Sequence, residues 1–255
     1  MKKLILLLSA VALVFASCTS DADPLPVYTP PVADVNTTLP KKMIYTETGY
    51  PTETYNYFYN GNKLTKITDE FGYSKITYTG DLITLIQHYD DTNTLVASEH
   101  FTYNGSNKLV TNLYKDLESD YGSKETYVYN ADGTVTVSKF GGDATTQNDD
   151  FGYYKMFFLN REVVKVENYD STGVLGETTN LTYDGKNNPY KNIVGWAQLQ
   201  YSSSQLAGAY QNVIHNDRPS EDYTNTYTYD ANNFPLTETA KDASDVILSS
   251  TQYFY

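Results

Sequence analysis

The feature that most constrains this chain is a tyrosine that recurs immediately before a turn signal. "YFYNGNKL" at 57–64, "FTYNGSNKLV" at 101–110, "YVYNADGTV" at 127–135 and "YTYDANNFPL" at 227–236 all carry it. Taking the aromatic before each turn as a marker gives Tyr59, Tyr78, Tyr103, Tyr129, Tyr183, Tyr201, Tyr229 and Tyr255, with Leu159 in "FFLN" as a variant, at spacings of 18 to 30 residues. A fixed period in this range marks a repeat architecture. It accommodates one β-hairpin, two strands of about eight to ten residues with their turns. Asn-Gly at 60 and 104, Thr-Gly at 79 and Asp-Gly at 132 and 184 are turn dipeptides, so strands are expected to pair antiparallel with their sequence neighbours.

The far end of several hairpins has its own signature. "EFGYSKITY" (70–78), "DYGSKETYVY" (120–129) and "DFGYYKMFF" (150–158) share an acid, an aromatic and a glycine, then a lysine. Gly72, Gly122 and Gly152 are expected to supply a positive φ. Tyr55, Tyr57 and Tyr59 lie at period two and face one side of a strand, as do Tyr127 with Tyr129 and Tyr227 with Tyr229. Stacked between neighbouring hairpins, such tyrosines would form ladders. The markers imply some sixteen strands, more than an open sheet carries without curling. The expected fold is all-β: an antiparallel hairpin-repeat array in one long curved sheet, shaped as a trough, half-shell or partly closed barrel.

The N-terminus stands apart from this array. Lys2 and Lys3, the apolar run Leu4–Phe15 and the small exit Ala16-Ser17 read as a signal peptide over residues 1–17. The run is shorter than the roughly 20 apolar residues that cross a bilayer. Cys18 follows at once and is the only cysteine, so it has no internal disulfide partner. "FASC" resembles the lipobox of bacterial lipoproteins, which implies that Cys18 is lipidated and joins the chain to the outer membrane. The following "TSDAD" resembles the acidic stretch that, in Bacteroidota, sends lipoproteins to the outer face. Residues 18–41 hold Pro24, Pro26, Pro30, Pro31 and Pro40. They read as an extended linker reaching roughly 60 to 70 Å, ahead of a hairpin domain at 42–255.

The formal charge of −13 becomes more negative once Lys2 and Lys3 leave with the signal. That excludes nucleic acid as a natural partner, since both RNA and DNA select clustered Lys and Arg. His88, His100 and His215 are far apart, and no nucleotide-binding, nucleophile-elbow or zinc-protease motif is present. "NADG" at 130–133 and "NDD" at 148–150 are fragments of calcium-loop chemistry that hairpin turns also use. Adjacent carboxylates, Asp90 with Asp91 and Glu221 with Asp222, have the chemistry a glycosidase needs and equally that of solvated loops. No cofactor, metal site or catalytic residue is expected.

The units "YNGNKLTKI", "YNGSNKLV", "YNADGTVTV" and "YDANNFPLTET" resemble the tyrosine-aspartate (YD) repeats of the Rhs family, and more closely short YD-type repeat lipoproteins of Bacteroidota. "YDGKNNPYKN", "QNVIHN" and "YTYDANNFPL" follow in the order seen in that group, and the resemblance covers about residues 45–255. The array departs from Rhs proteins in being short, in lacking Arg after the turn glycine, and in having no toxin or self-cleaving core. The expected function is a non-catalytic surface module that binds a glycan or an envelope protein; the alternative is a carboxylate-dependent hydrolase. The least regular stretch, "NIVGWAQLQYSSS", is where a ligand site is expected, built from Trp196 with Tyr190 and Tyr210.

Overall fold

The computed structural model describes residues 37–202 and 208–255. The signal segment, Cys18 and most of the linker lie outside the described residues. Sixteen strands follow in sequence. The first eight are β1 (Lys42–Glu47), β2 (Glu53–Asn60), β3 (Lys63–Thr68), β4 (Gly72–Thr79), β5 (Leu82–Asp90), β6 (Leu95–Tyr103), β7 (Leu109–Asp116) and β8 (Tyr121–Tyr129). The rest are β9 (Val135–Gly142), β10 (Gln147–Leu159), β11 (Glu162–Tyr169), β12 (Leu175–Tyr183), β13 (Val213–Asp217), β14 (Tyr223–Tyr229), β15 (Pro235–Asp242) and β16 (Ile247–Phe254). Each pairs antiparallel with its sequence neighbours, and β1 pairs with β16 through Met43↔Tyr253 and Tyr45↔Thr251. The sheet is therefore a closed barrel, the fully closed form of the curved sheet that the repeat pattern implies, with no free edge.

Seven of the nine markers are the last or next-to-last residue of an even-numbered strand, and Tyr255 directly follows β16. Tyr201 does not: it ends a 3₁₀-helix, Trp196–Tyr201, inside the long connection from β12 to β13. The Asp-Gly at 184 likewise opens this connection rather than closing a hairpin. A sixteen-stranded barrel is too wide for wall side chains alone to fill. The connection supplies the missing volume, placing Ile193 and Leu199 in one buried cluster with Leu64, Ile83, Leu109, Val137, Met156 and Val163. Val194 N–H donates to the Asn62 carbonyl (3.0 Å), and Asn192 Nδ2 to the Thr38 carbonyl (3.0 Å). The barrel thus has a plugged end, at the marker turns. Residues 37–41 arrive at the same end, where Pro40 is buried and Leu39 packs on the core.

The marker tyrosines point inward, and they join hairpins differently from the ring stacking expected of them. Tyr59, Tyr103, Tyr129, Tyr183 and Tyr255 donate their hydroxyls to the carbonyls of Pro40 (2.7 Å), Ile83 (2.7 Å), Leu109 (3.0 Å), Val163 (2.6 Å) and Pro235 (2.8 Å). For Tyr103, Tyr129, Tyr183 and Tyr255 the carbonyl belongs to the adjacent strand at its start, beside a register shift such as Thr102/Tyr103, opposite Leu109, or Phe157/Phe158, opposite Val163. Each hydroxyl staples one rung to the one before it. The close ring stacks, Tyr73 on Tyr89 (4.7 Å) and Tyr153 on Tyr169 (4.6 Å), lie instead on the outer wall. Tyr103→Phe, Tyr129→Phe and Tyr183→Phe are each expected to lose about 1 kcal/mol, and the triple variant about 3 kcal/mol. Denaturant midpoints check this, and an unchanged midpoint would assign the tyrosines to ring packing alone.

At the opposite end, two of the three motif glycines have the expected positive φ, Gly72 (+158°) and Gly152 (+81°). A Cβ at these positions would lie 2.0 Å from the Tyr89 carbonyl oxygen and 2.1 Å from that of Tyr169. Gly122 lacks the positive φ; it is required because a Cβ there would meet the Asp143 carbonyl oxygen at 2.5 Å.

Candidate functional site in the barrel lumen

Inward positions change character along the barrel axis. Near the plug they are aliphatic or tyrosine, whereas toward the other end the same faces carry Ser74, His88, Glu99, Glu125, Lys139, Asn168, Asn216, Asn225 and Glu238. Between wall and plug lies a cavity of about 440 Å³, lined by Tyr154, Tyr190, Asn216, Asn225, Tyr227 and Glu238 among others. A second cavity of about 510 Å³ shares Tyr223, Asn225 and Glu238 with it. That one extends past Tyr45 and Glu47 to Thr48, Glu221 and Ile247 at the end opposite the plug. The lumen therefore has a mouth.

Its electrostatics are set by carboxylates held by tyrosine hydroxyls. Glu238 accepts from Tyr227 (3.0 Å) and Tyr253 (2.7 Å). Burial pushes its carboxyl above the usual range while the two hydroxyls pull it back. Glu125 accepts from Tyr127 (2.5 Å) and Tyr154 (3.2 Å), and burial together with the neighbouring carboxylate keeps these hydroxyls protonated. Arg218 at the mouth is already committed to Glu177 (2.8 Å) and Glu221 (3.4 Å). Asn216 and Asn225 are both more than nine-tenths buried, and the Oδ1 of each has no hydrogen-bond partner among the described residues. Two buried amide oxygens without donors are costly. The cavity sets amide side chains and tyrosine rings beside Glu238, Lys139 and Arg218.

The structure places Tyr190 in the lining of the first cavity, its hydroxyl 3.1 Å from that of Tyr57. Trp196 packs beside it, ring centroids 5.2 Å apart, half-buried on the core. Tyr210 instead turns its ring to Arg161, whose guanidinium lies 3.9 Å from the ring centroid and donates to the Tyr210 hydroxyl. Sequence reasoning missed Asn216, Asn225 and Glu238. The available signal was a polar residue at a position whose strand phase, fixed by Tyr227 or by the Tyr253 face, points inward.

The other chemical candidates are spent on structure. Asp90 Oδ1 caps its own turn, accepting from Thr94 N–H (2.7 Å) and the Thr92 hydroxyl (2.8 Å). Asp132 does the same for Thr134 and also holds Lys155 (3.1 Å), and Asp150 accepts from Gly152 N–H (2.7 Å). Asp222 pairs with His215 (2.9 Å) and Glu221 with Arg218. Among the described residues, no group of three or more His, Cys, Asp or Glu is arranged to hold a metal ion. Ser74, His88 and Glu99 do line up across three strands, with Ser74 Oγ 2.9 Å from Nδ1 and Glu99 3.6 Å from Nε2. Ser74 sits mid-strand, however, in register with Ile67 on one side and His88 on the other. Its neighbouring amides are used in the ladder instead of facing a developing oxyanion.

No family model matches the sequence, and no curated protein matches it. Among solved structures, the barrel is similar to a porin-like protein from Bacteroides uniformis, with a TM-score of 0.50 and 13% identity over 84% of this chain and 97% of the other. A porin-like protein from Bacteroides vulgatus gives a TM-score of 0.49 and 14% identity, over 86% and 99%. At such identity the first likeness establishes the fold, an all-antiparallel closed barrel.

Proposed function

We propose that this chain is a non-catalytic binding module of the bacterial cell envelope. In this reading it is tethered to the outer membrane by lipid on Cys18, faces the cell exterior, and takes a neutral saccharide into its lumen. The YD-type repeat resemblance belongs to the same proposal. The observation that carries the reading is the contrast between the two faces of the wall. A membrane-spanning barrel needs an apolar outer band about 25 Å tall. Here the outward positions of the central wall include exposed Lys75, Thr77, Thr102, Asn180, Thr226 and Thr228. Thr102–Thr111 (2.5 Å) and Thr228–Thr237 (2.7 Å) pair their hydroxyls across strands there. Such a wall suits water, so a separate anchor is needed to hold the barrel at the membrane. The lumen meanwhile combines tyrosine faces with amide oxygens, a pairing that suits sugar rings and hydroxyls.

Two measurements test this. A fatty-acid analogue is expected to label the wild type but not Cys18→Ala, and that variant is expected to leave the membrane fraction. A panel of neutral polysaccharides is expected to yield a ligand that changes Trp196 fluorescence through Tyr190, with binding lost in Asn225→Leu. Retention of Cys18→Ala on membranes would remove the tether, and silence across the panel would remove the saccharide.

A further inference from the structure

The acid-aromatic-glycine motif has no part in the lumen site, yet it is repeated three times and its product is costly. It places Phe71, Tyr121 and Phe151 at the mouth end with 66%, 40% and 52% of their surface exposed. Gly72, Gly122 and Gly152 make each placement possible, since a Cβ at any of them would collide with a backbone carbonyl. The other connections at this end add Tyr50, Leu117, Val174 and Val246, all exposed. Most of the large exposed apolar side chains thus crown one rim of the barrel. Isolated exposed apolar residues are ordinary, but a set concentrated on one rim marks an interaction surface.

The charge on that rim selects the partner. The connections 48–52, 69–71, 91–94, 117–120, 143–146, 170–174 and 243–246 contain no Lys or Arg. Arg218, in the remaining one, is neutralised by Glu177 and Glu221. Exposed acids sit directly beside exposed apolar residues: Glu70 by Phe71, Glu118 by Leu117, Asp120 by Tyr121 and Asp150 by Phe151. At the plugged end Lys41, Lys63, Lys108, Arg161, Lys186 and Lys191 outnumber the turn acids Asp81, Asp132, Asp184 and Asp230. An acidic rim is unsuited to an anionic lipid surface. It is complementary to Lys and Arg, whose aliphatic stems cover apolar surface while their heads reach carboxylates. Residues 37–41 enter at the plugged end, so the rim lies at the far end of the barrel from the point where the linker joins.

We infer that the mouth rim docks a basic protein partner, with Phe71, Tyr121 and Phe151 as anchors and the adjacent acids steering Lys and Arg onto them. This surface is distinct from the lumen residues that would hold a saccharide, so loss of one binding activity need not affect the other.

The probe is a fluorescein-labelled peptide of alternating Arg-Gly and Lys-Gly, titrated by anisotropy into the detergent-solubilised full-length chain. Phe71→Ser with Phe151→Ser, and separately Glu70→Gln with Glu118→Gln, are expected to weaken binding about tenfold or more. Removing two charges at the plugged end, Asp81→Asn with Asp132→Asn, is expected to change it less than about twofold, since exposed charges beyond a Debye length are screened. If the aromatic pair fails to fold, the charge pair and its control decide alone. Equal weakening in the control would mean attraction to net charge only, and no binding by the wild type would remove the rim as a basic-partner site. Capture by phosphatidylcholine nanodiscs, lost in the aromatic variant and without peptide binding, would assign the rim to lipid. Each of these results overturns the inference.

Discussion

Glu162→Ala is expected to lower the stability of the folded chain by about 3–5 kcal/mol, a large share of a typical domain's margin. Glu162 opens β11 and is 1% exposed. Its Oε1 accepts the N–H groups of Tyr210 (2.8 Å) and Gln211 (2.7 Å), and its Oε2 that of Ala209 (3.1 Å). One carboxylate thus fastens the returning arm of the plug to the wall, and alanine would leave three amides unpaired. Burial pushes this carboxyl above the usual Glu range, while the three amides and Arg161 pull it back. A raised folded pKa contributes stability that is full below the unfolded value and is lost as pH rises through the folded one. The wild type should therefore gain from this group on acidification from neutral pH toward about 4.3, and Glu162→Gln should remove that gain. At neutral pH the glutamine variant should lose only about 1–2 kcal/mol, because its carbonyl still serves two amides while its NH₂ faces the third. Denaturant melts at pH 7 and pH 5 check both signs. An alanine variant within about 0.5 kcal/mol of wild type would mean the plug is held elsewhere.

The repeat made most of the wall legible. Most marker tyrosines are tied to a turn and a register shift, and five of them to a carbonyl that the hydroxyl reaches, so spacing alone located six hairpin ends and the approximate strand number. Closure was not legible, because the β1–β16 seam depends on accumulated twist and tilt and not on any local signal. The plug was hidden by coincidence. "YDG" at 183–185 and Tyr201 have the chemistry of another rung, yet the segment between them carries Pro189, Gly195 and a 3₁₀-helix and turns into the lumen. Its irregularity was visible in the sequence and drew attention to Trp196 and Tyr190, which the fold brings together. Tyr210 was grouped with them by proximity in the chain, but Arg161 draws its ring elsewhere. Asn216, Asn225 and Glu238 were hidden for a different reason. On a barrel wall an inward polar residue has the same alternating pattern as an outward one, and only the strand's phase separates them.

The second large effect concerns whether the plug is cargo in the barrel or part of its core. Leu199 lies in the 3₁₀-helix, has no exposed surface and packs within the same cluster as wall residues from β3 to β12. Leu199→Ala is expected to lose about 2–5 kcal/mol, whereas trimming the exposed wall residue Val128 to alanine should fall within about 0.5 kcal/mol. The stronger test is Leu199→Asp, which puts an unpaired charge where no donor waits. Sixteen strands enclose more space than their own inward side chains fill, so a wall that loses the plug also loses the apolar partner of Leu64, Ile83 and Met156. The expected result is a single cooperative loss, with hydrogen exchange accelerating together at Val194 and Ser202, whose amides are bonded to the Asn62 and Leu199 carbonyls, and in the β4–β9 ladder. If plug amides exchange freely while the ladder stays protected, the wall is self-sufficient and the plug is a separable insert.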